Sequence, residues 1–216
     1  MKKPLSYLIP FVLKKYYSKI NGELTVNLIN GNKTLDTVRS NYSYGSLQQI
    51  LHIGLHESGF PKNVNSVLVL GMGAGSIVQT IRKHYKSTVF IELVDVDPEI
   101  MAIAVNDFEI NKYNNIHIEC ADAFQHLLRT TGKFDLIVVD IFIIDTVPDY
   151  FTQAPFITAL VNHLNSGGKV IYNTIRKTMP RETFNAIKNL FFEKGMKIKV
   201  VQKAEETNDL IIGERE

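Results

Sequence analysis

A glycine-rich turn is the first feature of this sequence that could do chemistry. Gly71, Gly73 and Gly75 alternate between an apolar run at residues 67–70 and a helical pattern that begins at Ser76. Glycines in a strand-to-helix turn let the backbone approach a bound molecule closely. The G-x-G-x-G spacing is typical of sites for an S-adenosyl sulfonium compound, whereas a dinucleotide site would need its third small residue at position 76. A tight turn without a ligand is the remaining interpretation.

Acidic residues follow three of the predicted strands, at the edge where open α/β sheets bind ligands. Asp95 ends the second strand, where a carboxylate can accept hydrogen bonds from ribose hydroxyls. Asp97 is instead predicted to cap a helix, because a proline and a glutamate follow it. Asp122 can accept the adenine amino group, cap the next helix, or do both. Asp140 ends the fourth strand, where it can orient or deprotonate an acceptor or simply be solvated.

Alternating strands and helices must position these residues. Continuous apolar runs predict strands that are buried on both faces, and apolar residues at helical spacing predict the helices between them. A Ser-Gly-Gly sequence at 166–168 is expected to break the chain before the fifth strand. The last two apolar runs leave no room for a helix between them, so they must pair antiparallel. The pattern predicts an α/β fold with a doubly wound, Rossmann-like, seven-stranded sheet and a C-terminal antiparallel hairpin.

The first 60 residues follow a different pattern. Apolar residues alternate with polar ones around an Asn30-Gly31 turn, which predicts a β-hairpin at residues 22–38, and a helix should follow it. Residues 1–13 are apolar but interrupted by prolines, so we expect an amphipathic segment that packs on the body or on a second subunit. We therefore divide the chain into an N-terminal part and a ligand-binding domain, at residues 1–60 and 61–216.

Composition narrows the classes of partner. The 216 residues carry a formal net charge of +2 without a basic stripe, so no nucleic-acid partner is expected. A single cysteine, Cys120, excludes an internal disulfide and the usual cysteine-based zinc sites. His52 and His56 have a possible metal spacing but no apparent third ligand, so no metal site is expected. No apolar run reaches the ~20 residues of a membrane span, and we expect a cytoplasmic protein without a membrane partner.

These motifs together resemble a known family. The chain is identified as a spermidine-synthase-like member of the class I S-adenosylmethionine-dependent methyltransferase superfamily, with similarity from about residue 21 to residue 175. The glycine turn and the segments ending in Gln48, Asp97, Ala123 and Asp140 carry this resemblance. It implies that S-adenosylmethionine, or its decarboxylated form, binds at Gly71, Gly73, Gly75, Asp95, Asp122 and Ala123.

Two departures from the family bear on the group that is transferred. Spermidine synthases carry an aspartate within the glycine turn, where this chain has Ala74. They also carry Asp-Ser-Ser/Thr-Asp-Pro after the fourth strand, whereas here only Asp140 is in place and Asp145 is displaced. Each loss removes an anion meant for a cationic substrate. We therefore expect methyl transfer to a small-molecule acceptor, with aminopropyl transfer from the decarboxylated donor or a non-catalytic role as alternatives.

Asp140 and Tyr44 are the candidate catalytic residues. Tyr42, Tyr44 and the apolar residues 141–144 could form a dry wall around the reacting atoms. The two tyrosines are equally consistent with core aromatics whose hydroxyls are satisfied. The apolar N-terminal segment and the exposed hairpin indicate a possible homodimer.

Overall fold

The N-terminal part of the chain forms a small antiparallel sheet. A computed structural model describes residues 2–37, 41–43 and 45–216, apart from the side chains of residues 2, 3, 41–43 and 46. The short helix α1 (Lys2–Leu5) precedes the sheet. Four strands then pair in chain order: β1 (Phe11–Ser18), β2 (Gly22–Ile29), β3 (Asn32–Thr37) and β4 (Asn41–Ser43).

The predicted hairpin is present as β2 and β3. Asn30 and Gly31 have φ values of 48° and 73°, which suit a two-residue turn between antiparallel strands. The description of the first 13 residues as an amphipathic segment is incomplete, because strand β1 begins at Phe11 and pairs with β2 as far as Ser18. A register shift after Val12 interrupts its period-two alternation, so the sequence pattern hides the strand.

A seven-stranded sheet with interleaved helices follows. Its elements are α2 (Ser46–Glu57), β5 (Ser66–Leu70), α3 (Ser76–Gln79), β6 (Phe90–Asp95), α4 (Pro98–Asn106), β7 (Ile116–Cys120), α5 (Ala123–Arg129), β8 (Phe134–Val139), α6 (Ala154–Asn162), β9 (Leu164–Ile175), α7 (Arg181–Glu193), β10 (Met196–Ala204) and β11 (Asn208–Arg215). Helix α3 continues into a π-helical turn, and 3₁₀ turns precede β7 and α6.

The strand order is β10-β11-β9-β8-β5-β6-β7. The five neighbouring strands β9, β8, β5, β6 and β7 run parallel to one another. Strand β11 pairs antiparallel with both β9 and β10. This order confirms the predicted doubly wound α/β sheet with its C-terminal hairpin. The chain winds outward from β5 in both directions, so a crevice forms where β5, β6 and β8 end.

Hydrophobic cores cover both faces of this sheet. Strand β5 shows the alternation, because Val67 and Val69 pack in one core while Leu68 and Leu70 pack in the other. This explains why the strand is a continuous apolar run. The first core also includes residues of the N-terminal sheet, namely Leu24, Val26 and Leu35. The division at residue 60 stays a prediction, and the two parts share this core.

Strand β9 differs from expectation. It runs through residues 166–168, where a break is predicted, because the Ser-Gly-Gly sequence forms an irregularity within the strand. The pairing of β8 with β9 shifts after Phe134, and Gly167 has a φ of 71°. Glycines in a sequence are equally consistent with a bulge within a strand and with a break in the strand, so the sequence pattern does not distinguish the two. None of the helices in the described residues has the length and apolar character needed to cross a bilayer.

Candidate active site

A cleft of about 240 Å³ opens at the carboxyl ends of the central strands. Parallel strands end at the same edge of a sheet, so residues far apart in sequence meet there. Of the eight residues predicted to bind the donor or to act in catalysis, six line this cleft: Gly71, Gly73, Asp95, Asp122, Ala123 and Asp140. Gly75 is not part of the described lining, and Tyr44 lies outside the described residues.

The glycine turn brings bare backbone to the end of β8. Gly71 has a φ of 85°, and a Cβ atom there would lie 2.2 Å from the carbonyl oxygen of Asp140. A side chain at Gly71 would therefore force β5 and β8 apart. Gly73 donates its backbone N–H to Oδ2 of Asp95 at 3.2 Å. The glycine turn is thus hydrogen-bonded to the carboxylate of Asp95, which ends strand β6.

The remaining residues of the turn serve packing. Gly75 begins helix α3 with a φ of 80°, and a Cβ atom there would lie 2.6 Å from Cγ2 of Ile110. The bare backbone of Gly75 thus makes room for Ile110, and the expected contact of Gly75 with a ligand stays a prediction. Ala74 is fully buried in the first hydrophobic core. Its small side chain therefore does not enlarge the described cleft.

Asp95 is a buried carboxylate at the base of the cleft. Its side chain accepts hydrogen bonds from the backbone N–H groups of Gly73 and Asp97. Burial nevertheless raises its pKa to about 6, because these hydrogen bonds only partly offset the loss of water around the charge. A hydrogen-bond donor or a cation arriving in the cleft would stabilise the ionised form.

The pKa of Asp140 is raised as well, but its hydrogen-bond partner is a side-chain amide instead of the backbone. Burial raises its pKa to about 6, and the charge of Asp95 adds to this effect, while the amide of Asn173 opposes it. Asn173 Nδ2 donates to Asp140 Oδ1 at 2.8 Å, and Asn208 Nδ2 donates to the oxygen of Asn173 at 2.9 Å. This buried amide chain fixes the orientation of Asp140. Single-sequence reasoning missed both asparagines, because they come from β9 and β11.

Asp122 both caps a helix and lines the cleft. Its Oδ1 accepts the backbone N–H groups of Phe124 and Gln125, which begin helix α5. Its Oδ2 accepts a hydrogen bond of 2.7 Å from the hydroxyl of Tyr150, and this bond and burial raise the tyrosine pKa. The predicted cap is therefore present. Tyr150 is a lining residue that the sequence pattern did not reveal.

Asp97 joins the N-terminal sheet to the same edge of the main sheet. It caps helix α4 through the backbone N–H of Glu99, as predicted. Its other oxygen accepts hydrogen bonds from the hydroxyl of Ser18 and from Nδ2 of Asn21, the latter at 2.7 Å. Asn21 lines the cleft, and its buried Oδ1 has no hydrogen-bond partner within the described part of the chain.

Apolar side chains form one wall of the cleft. Residues 141–144 all contribute to the lining, together with Leu47 and Ile50 from helix α2. This agrees with the expectation that the segment after β8 lines the cleft with apolar side chains. The side chain of Tyr42 and the whole of Tyr44 lie outside the described residues, so their part in this wall stays a prediction. Asp145 is absent from the described lining.

Comparison with known sequences adds a family to this geometry. The sequence model of the family described as "Spermine/spermidine synthase domain" matches residues 45–207. A probable polyamine aminopropyl transferase from Bifidobacterium longum is 31% identical over 111 residues, which is 51% of this chain and 24% of that protein. The eEF1A lysine and N-terminal methyltransferase of Xenopus laevis is 28% identical over 125 residues, which is 53% of this chain and 18% of that protein. The chain thus matches a quarter or less of these two relatives.

Solved structures share the fold at low identity. A probable spermidine synthase from Corynebacterium glutamicum superposes with a TM-score of 0.69 and 16% identity, covering 94% of this chain and 79% of that one. The ribosomal protein L11 methylase of Lactobacillus delbrueckii gives a TM-score of 0.59 and 22% identity, covering 79% of each chain. The longer coverage of the first reflects agreement that extends into the N-terminal part.

Proposed function

Because the chain belongs to the spermine/spermidine synthase domain family, we propose that it is a transferase that takes an S-adenosyl sulfonium donor and alkylates a small amine. The group we propose is aminopropyl, from the decarboxylated donor. One observation carries this proposal: the bare backbone of Gly71 and Gly73 converges with the carboxylates of Asp95 and Asp140 in a single cleft. Bare backbone suits a close-fitting nucleoside, and the carboxylates suit its hydroxyls and a positive charge.

The hydrogen-bonding capacity of these residues fits such a donor. The carboxylate of Asp95 accepts backbone hydrogen bonds from Gly73, Asp97 and Met72, which leaves it capacity to accept a further bond from a ribose hydroxyl. Oδ2 of Asp122 accepts one bond from Tyr150 and can accept a second from an adenine amino group. Asn21 also lines the cleft, and its buried Oδ1 has no hydrogen-bond partner among the described residues.

Asp140 is proposed to serve the acceptor. When bound, the donor supplies a sulfonium leaving group whose S–C bond breaks as the acceptor nitrogen attacks. The amine must be deprotonated to attack, and a carboxylate with a pKa of about 6 is ionised at neutral pH while still able to take up a proton. The apolar wall at residues 141–144 excludes water from the reacting atoms.

The charge of the cleft favours the decarboxylated donor. The titratable side chains that the described residues contribute to the lining are Asp95, Asp122, Asp140 and Tyr150. When ionised, the three carboxylates attract the ammonium of an aminopropyl tail and repel the carboxylate of S-adenosylmethionine. We therefore place aminopropyl transfer, the alternative from the sequence, ahead of methyl transfer. The burial of Ala74 in the core supports this order, since the alanine opens no space in the cleft.

Methyl transfer remains the second candidate because of the wall after β8. Ile143 and Ile144 lie in the lining where a polyamine acceptor would favour a second acid, and Asp145 is not part of that lining. An acceptor that meets this wall therefore carries an apolar portion beside its reacting nitrogen or oxygen. The acceptor remains a small molecule in either case, and the homodimer stays a prediction.

Calorimetry with three nucleosides separates these functions. Decarboxylated S-adenosylmethionine, S-adenosylmethionine and methylthioadenosine share the adenosine group and differ in the tail. We expect the decarboxylated donor to bind at least ~10-fold more tightly than S-adenosylmethionine, because the carboxylates discriminate by charge. A preference of the same size for S-adenosylmethionine would establish methyl transfer instead. Failure of all three to bind would overturn the donor site itself.

A further inference from the structure

A second group of chemically active side chains lies outside the cleft, at the β7 edge of the main sheet. Glu92 on β6 and His117 on β7 are register partners, so their side chains share a face of the sheet. Glu119 lies two residues beyond His117 and therefore points to the same face. One potential ligand atom from each of these three residues lies within 4.8 Å of the other two.

A buried histidine faces this cluster from the helix that covers it. His126 on α5 is 3% exposed, and its Nδ1 lies 3.0 Å from Oε2 of Glu119. Its Nε2 lies 3.4 Å from Oε1 of Glu92 and forms no hydrogen bond with any described residue. A buried ring nitrogen that has no hydrogen-bond partner among the described residues and faces these carboxylates favours a cation bound by the cluster.

We propose that Glu92, His117 and Glu119 bind a divalent transition-metal ion of the zinc class, with His126 positioning the carboxylates from the buried side. Mixed imidazole and carboxylate ligands suit zinc and its neighbours, whereas magnesium and calcium prefer oxygen alone. Bonds of about 2.0–2.2 Å to zinc bring ligand atoms to roughly 3.4 Å of one another. The exposed ring of His117 can move to close the remaining distance.

The surrounding charges are compatible with this ion. Arg129 Nη2 contacts Oε1 of Glu119 at 3.0 Å and leaves lone pairs on both oxygens of that carboxylate. A hydrogen bond from Nδ1 of His126 to Glu119 is the kind of outer contact that orients a metal-binding carboxylate. The competing arrangement is a direct contact of His126 with both glutamates that needs no ion.

Zinc titration of the full-length chain, in a buffer that does not chelate and after removal of any histidine tag, tests the site. We expect one Zn²⁺ per chain, with affinity reduced at least ~10-fold in His117→Ala and in Glu92→Gln. The matched control is His56→Ala, which removes another exposed histidine beside a glutamate and should leave the affinity unchanged. Mg²⁺ should not compete.

Thermal unfolding gives a second readout that needs no donor. At a zinc concentration of about 100 times the wild-type Kd, the melting temperature of the wild-type chain should rise by roughly 5–10 °C, and that of His117→Ala should rise by about half as much or less. His117 is exposed, so the variant should fold normally without zinc. Absence of stoichiometric binding, or equal binding by wild type and His117→Ala, would refute the metal site and favour direct contacts between His126 and the two glutamates.

Discussion

Replacing Asp140 by asparagine should stabilise the protein while weakening its hold on a cationic donor. The substitution keeps the shape of the side chain and an oxygen that can accept the 2.8 Å hydrogen bond from Asn173. It removes a carboxyl group whose pKa is raised by burial from 3.8 to about 6. The carboxyl group of Asp140 therefore holds its proton more tightly in the folded chain than in the unfolded chain. Ionisation of Asp140 thus opposes folding.

The size and sign of the effect follow from this pKa difference. The stabilising protonation is fully present below pH 3.8 and is lost as the pH rises through about 6. Each pKa unit corresponds to about 1.4 kcal/mol, so the loss above pH 6 amounts to about 2–3 kcal/mol. Asp140→Asn should thus be more stable than wild type by about that amount at pH 8, and the advantage should shrink towards zero near pH 4.

Urea unfolding across this pH range measures the stability, and calorimetry measures the functional consequence. Asp149→Asn is the matched control, since Asp149 is an exposed carboxylate outside the described lining. In Asp140→Asn, we expect decarboxylated S-adenosylmethionine to bind at least ~10-fold more weakly because one attracting charge is gone. Methylthioadenosine, whose tail is neutral, should bind as before.

Two results would refute this reasoning, and they refute different parts of it. If Asp140→Asn is no more stable than wild type at pH 8, then the carboxylate is not held in the unfavourable environment described here. If the variant gains stability but both nucleosides bind unchanged, the carboxylate is in the unfavourable environment described here, and the proposed attraction between Asp140 and the donor's ammonium is wrong.

Two further substitutions test the turn and the amide chain. Gly71→Ala should abolish nucleoside binding in calorimetry, because the added Cβ would lie 2.2 Å from the backbone of Asp140. The control is Gly167→Ala, which should bind nucleosides normally, because Gly167 also has a positive φ (71°) but has nothing within 4 Å of an added Cβ. Asn173→Ala should move the acidic limb of the pH–rate profile to higher pH, because Asn173 lowers the pKa of Asp140. Asn165→Ala, on the same strand but bonded to Asp135, should not move it, and equal shifts in both variants would contradict the positioning role.

Features set by local sequence were predictable. Strand β5 is a continuous apolar run because its alternate residues enter two cores, and the Asp-Pro-Glu sequence at Asp97 determines the start of α4 without help from distant residues. The acids Asp95, Asp122 and Asp140 were predictable as lining residues because a parallel sheet collects its strand ends at one edge.

Features set by long-range pairing were not predictable from one sequence. Asn173 is 33 residues from the carboxylate that it contacts, and only the pairing of β8 with β9 brings the two together. The cluster of Glu92, His117 and Glu119 has the same origin. The period-two spacing of His117 and Glu119 was visible, but the register that sets Glu92 beside His117 belongs to the folded sheet.

The carboxylate of Asp97 makes both a local contact, which the sequence predicts, and long-range contacts, which only the fold reveals. One of its oxygens caps α4, which the sequence predicts, and the other holds Ser18 and Asn21 of the N-terminal sheet. Its own backbone N–H donates to Asp95. One residue thus connects the base of the proposed donor site to the turn between β1 and β2, which carries Asn21 into the lining. The N-terminal sheet therefore contributes to the cleft through this turn, because the contact that fixes the position of the turn is two residues from the proposed ribose ligand.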